Sequence, residues 1–452
     1  MRRSRITLAA VAACALALSA CSGAGTTGDS SSSEGGAKEI TVLMVGNPQM
    51  EDIQKLTADH FTKSTGITVK YTILPENELR DKVTQDVANQ GGQYDVVTIG
   101  AYEVPIWSKN GWLHELSTQM DADTAYDKAD LLKPMVTVAS GEDGKMYGAP
   151  FYGESSLLMY NKEMFEAKGL TMPEKPTWQQ VADLAAKVDD KANGVAGICL
   201  RGLPGWGEGI ASLTTIVNTY GGTWFEKDWT PKLNAPEFKE ATKFYVDLAR
   251  AHGEPGVAQS GFTECLNVFS QGKSAMWYDA TSAAGTVEDP NASKVAGKVG
   301  YAYAPVNKTD FSGWLWSWDW AMPKTTKKQD DAWKFISWAT SKEYEQLVGK
   351  ELGWSRLPAG KRTSTYSIPE YKESAAAFAD ITLESIANAD PVNPGLQERP
   401  ATGVQFVAIP EFQDLGTKVS QEIAAALTGQ KTVDQALDAG QKLAEDVAKK
   451  YK

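Results

Sequence analysis

The chain has 452 residues, of which 42% are hydrophobic and 23% charged, with a formal net charge of −12. That acidic balance argues against a nucleic-acid partner and against electrostatic adsorption to anionic lipid. Beyond the N-terminal segment no apolar run approaches the ~20 residues of a membrane span, and from about residue 39 the chain is long enough for two lobes of ordinary domain size.

In chain order, the first element is a targeting segment. Arg2, Arg3 and Arg5 precede an almost wholly apolar run, Ile6 to Leu18, followed by Leu18-Ser19-Ala20-Cys21. This is the layout of a secretory signal peptide, with an apolar run too short to span a bilayer. Leu-Ser-Ala-Cys resembles the bacterial lipobox, which implies that Cys21 is acylated, becomes the mature first residue and anchors the protein to the outer face of the cell membrane. Residues 21–38 are dominated by Ser and Gly and read as a flexible tether. Of the four cysteines, Cys14 and Cys21 belong to this leader. The remaining pair, Cys199 and Cys265, can form a disulfide in an exported protein or stand as two separate buried thiols.

The body opens with a β-prone run, Ile40 to Val45, ending at Gly46. A helical pattern follows over 51–64, then an alternating strand over 67–74, a helix over 78–89 and a third strand over 94–99. Such alternation predicts an α/β fold with a largely parallel sheet covered by helices on both faces. Ligands bind beyond the carboxyl ends of such strands. Asn47 and Gln49 after the first strand, and Tyr102 and Glu103 after the third, are therefore candidate ligand residues. Further on, Ser156 to Tyr160 reads as a strand, and Thr177 with Gln180 as the capping box of another helix. No repeat at a fixed period appears.

Three landmarks carry a resemblance: YGAPFYGESSLLMYNKEMF (147–165), FSQGKSAMWYDAT (269–281) before VGYAYAPV (299–306), and AMPKTTKKQDDAWKFISWATSKEYEQLV (321–348). Together they resemble the family 1 extracellular solute-binding proteins of ABC importers, the maltose-binding type. Within that family, LRGLPGWGEG (200–209), GWLWSWDWAMPK (313–324) and GVQFVAIPEFQ (403–413) are similar to the sorbitol/mannitol-binding subgroup. The resemblance implies a two-lobed flytrap fold. Each lobe would be a mostly parallel sheet flanked by helices, with the ligand in the cleft between them. Crossings are expected near Pro150-Phe151, Met276 to Tyr278 and Thr340, so that 39–150 plus 279–340 form one lobe and 151–278 plus 341–452 the other. It also implies a monomeric receptor that closes on a sugar alcohol and delivers it to the membrane subunits of a permease. A cyclic mono- or disaccharide is the alternative ligand.

A polyol is a row of C–H faces and hydroxyls, so its site should combine aromatic rings with fixed donors and acceptors. Trp206, among glycines and flanked by Arg201 and Glu208, is expected to line the cleft; a packing role in a surface loop is the alternative. Asp279 stands at an expected crossing and reads as a ligand residue or an N-cap. Trp314, Trp316, Trp318 and Trp320 alternate in one expected strand and so share a face, with Trp316 and Trp318 as the central candidates. Glu154, Trp354, Arg356 and Gln405 complete the candidate set, each with a packing role as its alternative. An exported glycosidase would need two facing carboxylates, and no carboxylate-bearing motif falls on consecutive barrel strands. His60, His114 and His252 lack metal-ligand spacing, and no nucleophile elbow, Walker loop or dinucleotide fingerprint is present. The reading is a binding protein without catalytic activity, metal or cofactor.

Overall fold

The computed structural model describes residues 38–401 and 403–452; the expected signal peptide, the expected acylation at Cys21 and the expected tether up to residue 37 lie outside the described residues. Among the described residues eight strands form two sheets. They are β1 (Lys38–Val45), β2 (Ile67–Leu74), β3 (Val96–Gly100), β4 (Gly148–Glu154), β5 (Ser156–Asn161), β6 (Met276–Ala280), β7 (Val299–Tyr303) and β8 (Trp316–Ala321).

The first sheet has the order β2-β1-β3-β8-β4. β1 pairs in parallel with β2 and β3, joined through helices as the alternating pattern predicts. Ile40, Val42, Leu43, Met44 and Val45 are buried, as befits a strand covered on both faces. β8 returns from far along the chain and runs antiparallel between β3 and β4. The second sheet, β6-β5-β7, is antiparallel throughout its named strands. A mostly parallel sheet in each lobe is therefore correct only for the first three strands. The second sheet is built from pairings between distant segments, which local periodicity does not encode.

The two sheets, with their helices, are the cores of two lobes. The chain changes sheet at Ser155, a single residue between β4 and β5; Pro150 and Phe151 lie inside β4. Met276 to Tyr278 lies inside β6, and β7, grouped with the first lobe on sequence grounds, pairs with β5 in the second sheet. The next change of sheet thus falls between β7 and β8. Ser155 and the exit of β6 are tied together: the Ser155 amide donates to Thr281 Oγ1 (3.1 Å), and the Thr281 amide donates to the Ser155 carbonyl (2.9 Å).

Local signals explain several element ends. Asn47 caps the helix Pro48–Leu56, accepting from the Met50 amide at 3.1 Å, with Pro48 preset for the first turn. Thr177 and Gln180 form the expected reciprocal box at the start of Trp178–Val188. Cys199, in a segment running parallel to β6, is disulfide-bonded to Cys265 in the helix Phe262–Ser270, with Cα atoms 5.7 Å apart. Among the described residues no helix is long and apolar enough to cross a membrane.

Candidate ligand-binding cleft

A cavity of about 110 Å³ opens where the carboxyl ends of the first sheet's strands face the second lobe. Val45, Gly46 and Asn47 contribute from the end of β1, Glu76 and Arg80 from the helix after β2, and Tyr152 and Glu154 from β4. Trp316 and Trp318 of β8 form an aromatic wall, extended by Trp314 just before the strand. Arg201, Gly207, Glu208, Phe262 and Ser282 close the far side, with Gln405 and Phe406 from the C-terminal segment.

Two arginines organise the walls. Arg201 grips Asp279 through both edges of its fork, Nε to Oδ2 at 2.9 Å and Nη2 to Oδ1 at 2.6 Å. Its Nη1 donates to the Gly207 carbonyl (3.1 Å) and reaches Glu208 Oε2 at 3.4 Å. Arg80 donates twice to Glu76 Oε1, at 3.0 and 2.8 Å, and once to Glu103 Oε1 at 2.7 Å. Its guanidinium lies 4.2, 4.7 and 5.0 Å from the rings of Trp206, Trp318 and Trp316, a cation held in a tryptophan cage.

The carboxyl groups outnumber these cations. Burial pushes the Glu154 carboxyl up to about 7, against the Ser282 hydroxyl that donates to it. Burial, with the neighbouring charge of Glu76, pushes Glu208 up to about 8 despite Arg201. Both side chains are nearly enclosed, and neither Oε1 has a hydrogen-bond partner among the described residues. Gln405 Oε1 is likewise buried without a partner among them. These are free acceptors facing an aromatic wall, a combination that suits hydroxyl donors on an apolar frame.

Of the candidates named from sequence, Asn47, Glu154, Arg201, Glu208, Trp316, Trp318 and Gln405 converge on this cavity. Four others stand behind its wall. Trp206 packs between Tyr102 and Phe406 under Arg80, with ring centroids 4.8 and 5.5 Å away. The Tyr102 hydroxyl donates to the Ile409 carbonyl, and Glu103 holds Arg80 while accepting the Gly100 amide. Asp279 is fully buried and receives Arg201 twice, Trp277 Nε1 and the Ala280 amide, which fills its acceptor capacity. It positions Arg201 and has no lone pair left for a ligand.

Three candidates lie outside the cavity. Gln49 donates to the Ser282 carbonyl at 3.0 Å. Arg356 is consumed by a two-pronged pair with Asp52, at 2.9 and 2.8 Å, and a contact with Asp289 at 2.9 Å. Trp354 packs over Gly349. Trp320 is also apart, sealed between Phe151 and Phe335, and the strand carrying the alternating tryptophans begins at Trp316, not Trp314.

Sequence reasoning missed Arg80, Glu76, Tyr152, Ser282, Phe262 and Phe406. Glu76 and Arg80 had a readable signal: an i,i+4 pair at the start of the helix following β2, beyond that strand's carboxyl end. Phe262 had none, because it arrives through the fold of the second lobe.

The lobes meet across this cavity. Asn77 Nδ2 donates to the Pro204 carbonyl at 2.9 Å. A Cβ on Gly205 would fall 2.3 Å from Asn77 Oδ1, and one on Gly207 2.4 Å from Glu76 Oε1. The 204–207 loop therefore leaves no room for a Cβ at either position unless the Asn77 and Glu76 side chains shift.

Comparison with known proteins places this geometry in a family. Residues 47–346 match the model of the bacterial extracellular solute-binding proteins. The chain is 43% identical over 407 residues to the mannitol-binding protein of Pseudomonas aeruginosa, covering 90% of this chain and 92% of that one. It is similar to the crystal structure of an ABC transporter solute-binding protein from Agrobacterium vitis with bound D-mannitol. The TM-score is 0.89 and the identity 51%, over 92% of this chain and 99% of that one. A solute-binding protein from Agrobacterium radiobacter in complex with ribitol has a TM-score of 0.80 at 24% identity, over 91% of this chain and 98% of that one, and supports the fold alone.

Proposed function

This chain belongs to the bacterial extracellular solute-binding proteins, and from that premise we propose that its cleft captures a linear hexitol, mannitol or sorbitol, and delivers it to the permease of an ABC importer. It is a binding protein, not an enzyme, and it works outside the cytoplasm. The observation that carries the ligand class is the wall itself: tryptophans 314, 316 and 318 opposite Glu154, Glu208 and Arg201 in one cavity. An open-chain polyol must be frozen into one conformer on binding, which opposes affinity. Several fixed polar contacts along an apolar edge offset that loss.

In this reading Asn47, Glu154, Arg201, Glu208 and Gln405 bond the hydroxyls, and Trp316 and Trp318 stack on the C–H faces. Tyr102, Glu103, Trp206 and Asp279 hold those groups in place. The lobes hinge where Ser155 and Thr281 pair and again between β7 and β8, and the ligand favours closure by binding the closed state more tightly. Acylated Cys21 and the Ser/Gly tether keep the receptor beside its permease. Mass spectrometry of membrane-extracted protein tests the anchor: a mature chain starting elsewhere, with Cys21 unmodified, contradicts it.

Calorimetry with mannitol, sorbitol, xylitol, glucose and maltose tests the ligand class. A hexitol should bind most tightly and be recovered unchanged. Tight binding of maltose without any response to a hexitol would overturn the polyol reading and leave the receptor reading standing.

A further inference from the structure

The cleft gathers more carboxyl groups than cations. Five carboxyl groups, Glu76, Glu103, Glu154, Glu208 and Asp279, gather around two guanidiniums. Arg80 is shared by Glu76 and Glu103, and Arg201 by Glu208 and Asp279. Among the described residues Glu154 has no cation within pairing distance, only the hydroxyl of Ser282. Among the described residues no lysine or histidine lines the cavity, and the one further acid of its wall, Glu264, is exposed at the rim and accepts the Gly261 amide. Glu154 and Glu208 are each only 6% exposed, yet each keeps one carboxylate oxygen unpartnered among the described residues.

We infer that the same cleft takes an aminopolyol, a hexitol in which a protonated primary amine replaces one hydroxyl. The inference rests on the polyol reading and extends it to a second ligand class. An ammonium brings three donors and a full positive charge to a site short of both. In an enclosed cavity that charge is screened far less than in water, so it counts most when the cleft is closed.

The alternative open to a neutral ligand is to let the acids keep their protons. Glu154 lies near Ser282, Arg201, Asp279 and Glu76, and Glu208 near Glu76, Arg201, Asp279 and the Phe262 amide. Their carboxyls, raised to about 7 and about 8, ionise on going from pH 6 to pH 8.5. The primary amine, lowered from the lysine value of about 10.4 by its neighbouring hydroxyl, stays mostly charged over that range. The neutral hexitol is then shut in with growing unneutralised charge, while the aminopolyol neutralises it.

A matched pair tests this: D-sorbitol and its 1-amino-1-deoxy analogue, measured by calorimetry on the full chain at pH 6 and pH 8.5. The amine should compete with sorbitol for one site. Its affinity relative to sorbitol should rise at least tenfold between the two pH values. Glu154→Gln and Glu208→Gln should each cut that rise severalfold, with thermal unfolding used to confirm that the variants are folded. Sorbitol binding with no binding of the amine, or a ratio that does not move with pH, overturns the inference alone. Failure of both ligands overturns this inference, and failure of mannitol as well overturns the polyol reading with it.

Discussion

Arg201 and Asp279 form a two-pronged ion pair, 2.9 and 2.6 Å long, in which the aspartate is wholly buried at the edge of the cleft. The pair joins β6 to the loop that carries Gly207 and Glu208. Breaking such a pair from one side is expensive, because the remaining charge stays buried without its partner. Asp279→Ala should therefore lower unfolding stability by about 3–5 kcal/mol and weaken hexitol binding at least tenfold by releasing Arg201. Urea unfolding and calorimetry check both effects. A variant within about 1 kcal/mol of wild type would mean that Glu208 alone satisfies the arginine.

Contact between the lobes at the 204–207 loop depends on its missing side chains. A methyl group at position 207 would meet Glu76 Oε1 at 2.4 Å and Arg80 Nε at 2.7 Å. Overpacking of this kind costs about 1–3 kcal/mol, and it falls on the closed state alone. Gly207→Ala should lower hexitol affinity about 5- to 150-fold, the equivalent of that cost, while leaving thermal stability without ligand nearly unchanged. Small-angle scattering should show wild type contracting with saturating ligand and the variant contracting less. Equal affinity and equal contraction would place closure elsewhere.

The Cys199–Cys265 bridge spans 66 residues of sequence and fixes the helix whose first turn brings Phe262, Thr263 and Glu264 to the cavity. Closing a loop of that length stabilises by about 4 kcal/mol in the chain-entropy account. The double variant Cys199→Ser, Cys265→Ser should lose that much in urea unfolding and bind hexitol severalfold more weakly. Thiol counting on the unfolded, unreduced wild type should find both cysteines blocked.

Much of the first lobe was legible because its strands and helices alternate with clean periods, and because β1 is apolar on both faces. The return of β8 between β3 and β4 was not, since strand pairing across more than 150 residues leaves no local mark. The site divided along the same line. Asn47 followed from the strand-end rule, and Trp316 and Trp318 from alternation. Arg356 offered the same local signature, an arginine beside a tryptophan and a glycine, yet Asp52, 304 residues away, consumes it. Asp279 was found but its role shifted, because its saturation by Trp277 and Ala280 appears only when the side chains are placed.

Asp319 makes stability fall with rising pH. It is buried in β8, where Oδ1 accepts the Ser317 hydroxyl at 2.6 Å and Oδ2 has no partner among the described residues. Burial pushes its carboxyl up to about 7, with the Ser317 hydroxyl opposing and the charge of Glu103 adding to the shift. An unfolded aspartate titrates near about 3.9. Between those values the native state keeps a proton that the unfolded chain has released. The contribution is thus fully present below the unfolded value and is lost as pH rises through about 7. Asp319→Asn removes this dependence. The variant should be more stable than wild type at pH 8, by about 1–3 kcal/mol, and should have no such advantage at pH 4. Glu154 and Glu254, both raised to about 7, titrate in the same direction, so the slope should become shallower without vanishing. Urea unfolding at both pH values measures the difference. Parallel losses in the two proteins would mean that Asp319 is already ionised in the native state at pH 4.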